Sequence, residues 1–412
     1  MFRVSWRNVL GLGIYDFWLL SFALEGYLLE SSKGSIGLYF ILPHSLTLLL
    51  IGVFPKLIDN KSVKVGVFIT SLLTILYPYL VKVFNVMPLM VLIGISSAFV
   101  LLFIIDVISQ GERPLLVSAL GLVLGNLILV FFSLLSVFFG LRKEVLLLFL
   151  GACLFFFLSF LFKTKISFLS GKNNKNYSLK FPIILFFLYF LLGNSYLYYV
   201  EKFSPLFFLG LDNLIYIAAV VLGYLLFKGE INRLFMASLI SLAFLTPVLK
   251  FVSFKSLGII PIQISAGFAD LLSLSLVVKE RNISYSAIVF GLILAGMSLG
   301  IPIRSSLDLQ DFLSTYGTPI FALMFFILSS LGALKEEKVD TLDFKLKRLG
   351  IPKEVFSKRE LEVLEKIFEG KKQEQIAKEL KISVSTVKTY TGRIYKKLGV
   401  SNKRELLKLL KS

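Results

Sequence analysis

One cysteine and one histidine stand in 412 residues. A lone Cys153 can close no disulfide within the chain, and a lone His44 leaves no Cys/His metal site and little acid–base chemistry to build on. No nucleophile–base pair, metal cluster or phosphate loop stands out, so neither an enzyme nor a bound cofactor or metal is expected. Charge is also scarce, at 17% of residues against 56% apolar, 41 of them Phe. A water-soluble domain cannot cover that much apolar surface. No cleavable signal peptide is read at the start, because Arg3 and Arg7 lead into a stretch that holds Asp16 and Glu25 and has no A-x-A-like site.

The charge that is present is unevenly placed. The chain carries a formal +18, and residues 335–412 alone hold 21 Lys+Arg against 12 Asp+Glu, a net +9. A greasy body and a basic end point to two regions with different partners.

Apolar stretches of about 18 to 25 residues recur along the body, each long enough to cross roughly 30 Å of hydrocarbon at about 1.5 Å per residue. Twelve are expected, near 9–29, 35–54, 65–82, 86–109, 115–139, 145–162, 181–200, 205–227, 234–252, 257–278, 284–303 and 312–334. An even number puts both termini on one side. That side carries about 15 Lys+Arg in its short segments, including Lys56, Lys61, Lys64, Arg113 and Lys163, against about 8 opposite when Lys82 and Lys250 at the span ends are counted. The positive-inside rule then makes both termini cytoplasmic, in the cytoplasmic membrane of a prokaryote. Trp18, Tyr196, Tyr198 and Tyr199 are expected as interfacial anchors.

The basic loop 163–180 divides the spans six and six, and a weak repeat of about 170 residues pairs Glu30 with Glu201 and Asp106 with Asp270. By this layout the region resembles the major facilitator superfamily over about 330 residues. That family's motif between spans two and three, G-x-L-A-D-R-x-G-R-K, corresponds here to PKLIDNKSVK, which keeps Leu57, Asp59 and Lys64 without the glycines and the Arg pair. After span eight, GYLLFKGEINR keeps Gly223 and Leu225 but has no Asp. These departures weigh against active transport.

Ionisable residues inside hydrocarbon are costly and usually face a cavity or a partner. Asp16, Glu25, Asp106, Asp212 and Asp270 fall within the spans, with His44, Asn126, Asn194, Asn213 and Gln263 adding uncharged polarity. The facilitator resemblance implies that spans one, four, seven and ten line a central cavity, which gives Asp16, Glu25, Asp106, Asn194 and Asp270 as a ligand-sensing set. With no Lys or Arg in mid-span, such a cavity favours a cation, a protonated amine or a proton. Acids hydrogen-bonded between helices are the plainer alternative.

Beyond a charged connector, 335–354, the periodicity changes. Ser357-Lys-Arg-Glu360 is a capping box, followed by Leu361, Leu364, Ile367 and Phe368 at helical spacing, with Gly370 placed to end the helix. A second short helix near 372–380 carries Ile376, Ala377 and Leu380. A third is capped by Ser383 and buries Val387, Thr391, Ile394 and Leu398. This is a helix-turn-helix.

The matching segments, FSKRELEVL, EQIAKELKISVSTVKTY and KLGVSNKRE, resemble the LuxR/NarL/FixJ family closely over 355–412, with Tyr390 where His is usual and Gly392 where a longer side chain is common. The fold expected is therefore all-α, a polytopic bundle of about twelve spans (1–334) followed by a small four-helix LuxR-type domain. On the recognition helix Ser385, Lys388, Thr389, Gly392 and Lys396 face outward, and Ser385, Thr386, Lys388, Thr389, Arg393, Lys396 and Lys397 are its DNA-binding candidates. Lys388 is the first choice for a base edge, and Arg393, Lys396, Lys397, Lys371 and Lys372 for phosphate. The resemblance implies a dimer contact through the last helix, 402–411, with Leu406, Leu407 and Leu410, and a pseudo-palindromic double-stranded DNA operator. A Lys-rich helix lying on anionic lipid is the plainer alternative.

The whole points to a membrane-bound one-component transcription regulator whose membrane part senses a small molecule. The alternatives are a secondary transporter with an autoregulatory DNA-binding tail and, more remotely, a membrane enzyme.

Overall fold

The structure is a computed structural model that describes residues 5–20, 36–140, 149–154, 179–203, 212–244, 255–303, 312–330, 346, 351–368, 371, 373–380, 382–403 and 405–406. It divides into two compact units, Met1–Ala333 and Leu334–Ser412. Among the described residues there are helices and no strands.

The first unit contains α1 (Trp6–Trp18), α2 (Ile36–Val53), α3 (Asn60–Leu80), α4 (Val86–Gln110) and α5 (Pro114–Phe139). Then come α6 (Lys180–Phe203), α7 (Asp212–Phe227), α8 (Ile231–Ala243), α9 (Ile259–Glu280), α10 (Ile283–Ile303) and α11 (Thr318–Ser330). Most of the sixth expected span, the loop after it, Glu25, Glu30 and the side chains of Tyr198, Tyr199 and Glu201 lie outside the described residues. Helices α3, α4 and α9, and Pro114–Leu135 of α5, are each long and apolar enough to cross a membrane. On α3 the residues Val65, Phe68, Leu72, Leu76 and Tyr79 form an exposed stripe at helical spacing, as a lipid-facing surface requires.

Within this unit α1 packs on α5, α2 and α3 on α4, and α9 on α7 and α8. The first five helices meet the rest chiefly at two places. Helix α10 packs on both α6 and α2, and α5 packs on α7. Small residues set the closeness: a Cβ on Gly296 of α10 would stand 2.2 Å from the Phe186 carbonyl of α6. At the α2–α10 contact the Ser45 hydroxyl donates to the Gly291 carbonyl at 2.8 Å.

Trp18 is not an interfacial anchor. It is fully buried against Tyr15 and Phe40, and its indole N–H donates to Thr74 Oγ1 of α3 at 3.0 Å. The indole behaves as a core side chain with its single donor satisfied.

The second unit contains α12 (Lys358–Phe368), α13 (Gln373–Leu380) and α14 (Val384–Leu398). Val363, Leu364, Ile367, Ile376, Ala377, Val387 and Ile394 form its core, together with Phe356, Leu406 and Leu346. Leu346 comes from the stretch expected to be connector.

Candidate functional site

The start of α14 is built by its cap. Ser383 is extended and its Oγ accepts from the Thr386 amide at 3.0 Å, while the hydroxyls of Ser385 and Thr386 both lie 2.7 Å from the same Oγ. The helix ends on Gly399, whose φ of 64° lets the Val400 amide reach back to the Tyr395 carbonyl at 3.0 Å. With Val387, Thr391 and Ile394 turned inward, Ser385, Lys388, Thr389, Gly392, Arg393, Lys396 and Lys397 are exposed and Thr386 is half-buried. A Cβ on Gly392 would meet nothing within 4 Å, so this position leaves open space on the outer face. The Arg393 guanidinium lies over the Tyr390 ring, 6.0 Å from its centroid.

Two lysines assigned to phosphate by sequence have partners inside the unit. Lys397 Nζ donates to Glu360 Oε2 at 2.6 Å, and Lys371 Nζ donates to Glu379 at 2.5 Å. Glu360 is only 3% exposed and also accepts from the Ser357 amide at 2.7 Å, while its own amide donates to Ser357 Oγ at 3.3 Å. The capping box therefore forms as written, and its carboxylate doubles as the tie between the start of α12 and the end of α14. The Lys397 hydrogen bond, followed by the Ser357 amide, holds the Glu360 carboxyl below the usual carboxylate range. Lys371 does the same for Glu379. Lys372 lies outside the described residues.

Leu406, expected at a dimer contact, is fully buried in the core of its own unit. The short segment around it is capped reciprocally, with the Glu405 amide donating to Asn402 Oδ1 at 2.9 Å and Asn402 Nδ2 donating to Glu405 Oε1 at 3.0 Å. A side chain consumed by its own core cannot also present a dimer face. Leu407 and Leu410 lie outside the described residues.

In the membrane unit the expected polar set separates. Asp16 accepts from Asn126 Nδ2 of α5 at 3.1 Å, and a Cβ on Gly125 would run into its carboxylate. Asp270 of α9 accepts from the phenol of Tyr189 on α6 and from that of Tyr216 on α7, the latter at 2.6 Å. Tyr189 and Tyr216 were missed in the sequence because a tyrosine within an apolar run reads as bulk.

Asp106 does not join this group. It stands in the last turn of α4 and accepts from Gln110 at 2.5 Å. Next to it, the Val107 carbonyl meets Asn8 Nδ2 at 3.4 Å, and Asp16 lies eight residues further along α1, roughly 12 Å of helix rise away. Nor are Asp106 and Asp270 equivalent in depth, since the first lies four residues and the second ten from its helix end. Asn194 is buried on α6, beside Ser195, whose hydroxyl bonds to Thr318 of α11 at 3.1 Å. Glu25 lies outside the described residues. Elsewhere Asp212 accepts from Gln263 at 2.6 Å, and His44 Nδ1 pairs with Ser97 Oγ at 2.8 Å.

Comparison with known proteins bears on both units. Residues 354–410 match the GerE family, bacterial regulatory proteins of the luxR family. The transcriptional regulatory protein TdiR of Thauera aromatica is 39% identical over 75 residues, which are 18% of this chain and 33% of TdiR, so the match spans about a third of that relative. Among solved structures, the major facilitator superfamily transporter FucP in its outward conformation aligns with a TM-score of 0.57 at 13% identity, covering 80% of this chain and 98% of FucP. A bacterial homologue of the iron transporter ferroportin, in an outward-facing state, aligns with a TM-score of 0.53 at 15% identity, covering 80% of this chain and all of that one. Residues 354–410 are thus a LuxR-family regulator domain, carried on a chain whose membrane unit has the major facilitator fold.

Proposed function

We propose that this protein is a membrane-bound one-component transcription regulator. The twelve-span membrane unit senses a small ligand, and its state governs sequence-specific binding of double-stranded DNA by the cytosolic domain. The observation that carries this is the pairing in one chain of a LuxR-type domain at 354–410 with a transporter-like unit. LuxR-type domains are switched by a partner domain, and the membrane unit is the partner this chain offers. Both termini are placed in the cytoplasm, where DNA is reached from the inner face of the membrane.

The contact set follows from exposure on α14. Lys388 reads a base edge, Ser385, Thr386 and Thr389 lie along the groove near the helix start, and Arg393 and Lys396 bind phosphate. Lys397 and Lys371 serve first as internal partners of Glu360 and Glu379. Two domains on a two-fold operator are expected, with any contact between them made by residues other than Leu406. The sensing cluster is Asp16 with Asn126 and Asp270 with Tyr189 and Tyr216, and its two carboxylates favour a cationic ligand.

Crosslinking DNA to the chain in cells and recovering it from the membrane fraction tests the regulator reading. Discrete sites sharing a two-fold motif, bound by the intact chain, are expected. Recovery only of a shorter soluble fragment would move control to proteolytic release. The secondary-transporter reading is favoured by the facilitator fold itself, and substrate flux in reconstituted vesicles decides it.

A further inference from the structure

The DNA-binding unit of this chain begins upstream of the family match, and the extra piece is a core element. Leu346 is fully buried among Phe356, Val363, Leu364 and Leu406 in the cluster that supports α14. The Ile351 amide donates to the Leu346 carbonyl at 2.9 Å, a six-to-one bond, and Ile351 packs against the same core. The three helices α12, α13 and α14 close with the same bond: Lys371 to Lys366, Ile382 to Ala377 and Val400 to Tyr395. In sequence, Leu346-Lys-Arg-Leu-Gly-Ile351 repeats the pattern of Tyr395-Lys-Lys-Leu-Gly-Val400, the end of the recognition helix. This bond, with an apolar contact between its two ends, is how a helix terminus is locked by packing. The family match starts at residue 354, downstream of both Leu346 and Ile351.

We infer that Leu346 is a plug through which the connector acts on the DNA-binding core. The inference rests on the reading of the chain as a regulator controlled from its membrane unit, and it names the point of control. The first unit ends at Ala333, and twelve residues separate it from the plug, a length of chain that spans about 40 Å extended and about 18 Å if helical. A rearrangement that pulls on so short a connector acts on a residue buried beneath α12 and α14. It can therefore alter how firmly the recognition helix is held, in addition to the spacing of two domains. Seating of Leu346 supports a DNA-competent α14; withdrawal leaves a cavity and loosens it.

The experiment uses the full chain in lipid nanodiscs, with hydrogen exchange and DNA-binding isotherms on an operator obtained by selection from random DNA. The Ile351 amide should be protected to the same degree as Val400. Leu346→Ala should speed exchange in the peptides holding Val363 and Ile394 and weaken operator binding about tenfold or more, with Leu346→Met close to the parent. An Ile351 amide that exchanges as fast as those of the connector overturns the plug, as does Leu346→Ala with unchanged exchange and affinity. Either outcome would leave the regulator reading standing, since occupancy of DNA by the membrane-bound chain tests that separately. If Leu346→Ala proves too unstable to assay, exchange at Ile351 in the unaltered chain still decides the matter.

Discussion

At the scale of the residue, the proposed contacts on the exposed face of α14 divide into side chains expected to read sequence and side chains expected to hold the backbone. Lys388, one turn into the helix and exposed, is expected to discriminate a base; Lys396, two turns on and also exposed, is expected to meet only phosphate. Lys388→Ala should therefore cost about 1–3 kcal/mol of preference at one operator position. Lys396→Ala should weaken all sequences alike and reduce the slope of log affinity against log salt by about one unit. Binding isotherms on operator and random DNA over a range of salt separate the two, and equal losses on both DNAs for Lys388→Ala would remove it from base reading. Periodicity made the outward residues of α14 legible, because a buried stripe of Val387, Thr391 and Ile394 fixes which side chains remain outside. It could not show that Lys397 is engaged, since its partner Glu360 lies 37 residues away. Trp18 was misjudged for a related reason: an indole near a span end suits an interface, and only the packing of α3 brings Thr74 to its N–H.

At the scale of the element, the Glu360–Lys397 pair ties α12 to α14, and the pair is pH-dependent in a definite sense. The folded Glu360 carboxyl lies below its ordinary range, so its contribution to stability is complete above the unfolded value, about 4.3, and is lost as pH falls through the lower folded value. Glu360→Gln should destabilise the C-terminal unit at neutral pH by about 1–3 kcal/mol, because Lys397 and the Ser357 amide lose a charged acceptor. It should also remove this step from the acid denaturation profile. Hydrogen exchange in α12 and α14 at successive pH values measures both, and an unchanged acid profile would show that the pair does not link the helices energetically. Helix starts were the best-read elements, since Ser357/Glu360 and Ser383 have caps written locally in the chain. The polar cluster of the membrane unit was only half legible. Asp16 and Asp270 stood out as charges within hydrocarbon, but helical depth separates Asp106 from them, and depth depends on where a helix ends rather than on which span holds the residue. Tyr189 and Tyr216 could be found only once α6, α7 and α9 were brought together.

At the scale of the molecule, two units of unlike composition meet in one chain. A body with the facilitator fold holds Asp16 against Asn126 and Asp270 against two phenols, and a basic LuxR-type domain follows after a short connector. The boundary between them was legible as a change of hydropathy and charge. The place of Leu346 in the C-terminal core was not, because its burial depends on a core assembled from residues up to 60 positions downstream. The central claim is that the state of the membrane unit governs occupancy of DNA. The most direct measurement compares operator occupancy by the full-length chain across growth conditions, for the parent and for an Asp16→Asn/Asp270→Asn variant that reaches the membrane at the same level. Coupling free energies between sites commonly correspond to fivefold or larger changes, so parental occupancy is expected to vary by about fivefold or more between conditions while that of the variant stays fixed. Occupancy that varies equally in both would contradict control by this cluster, and parental occupancy that never varies would contradict control by the membrane unit altogether.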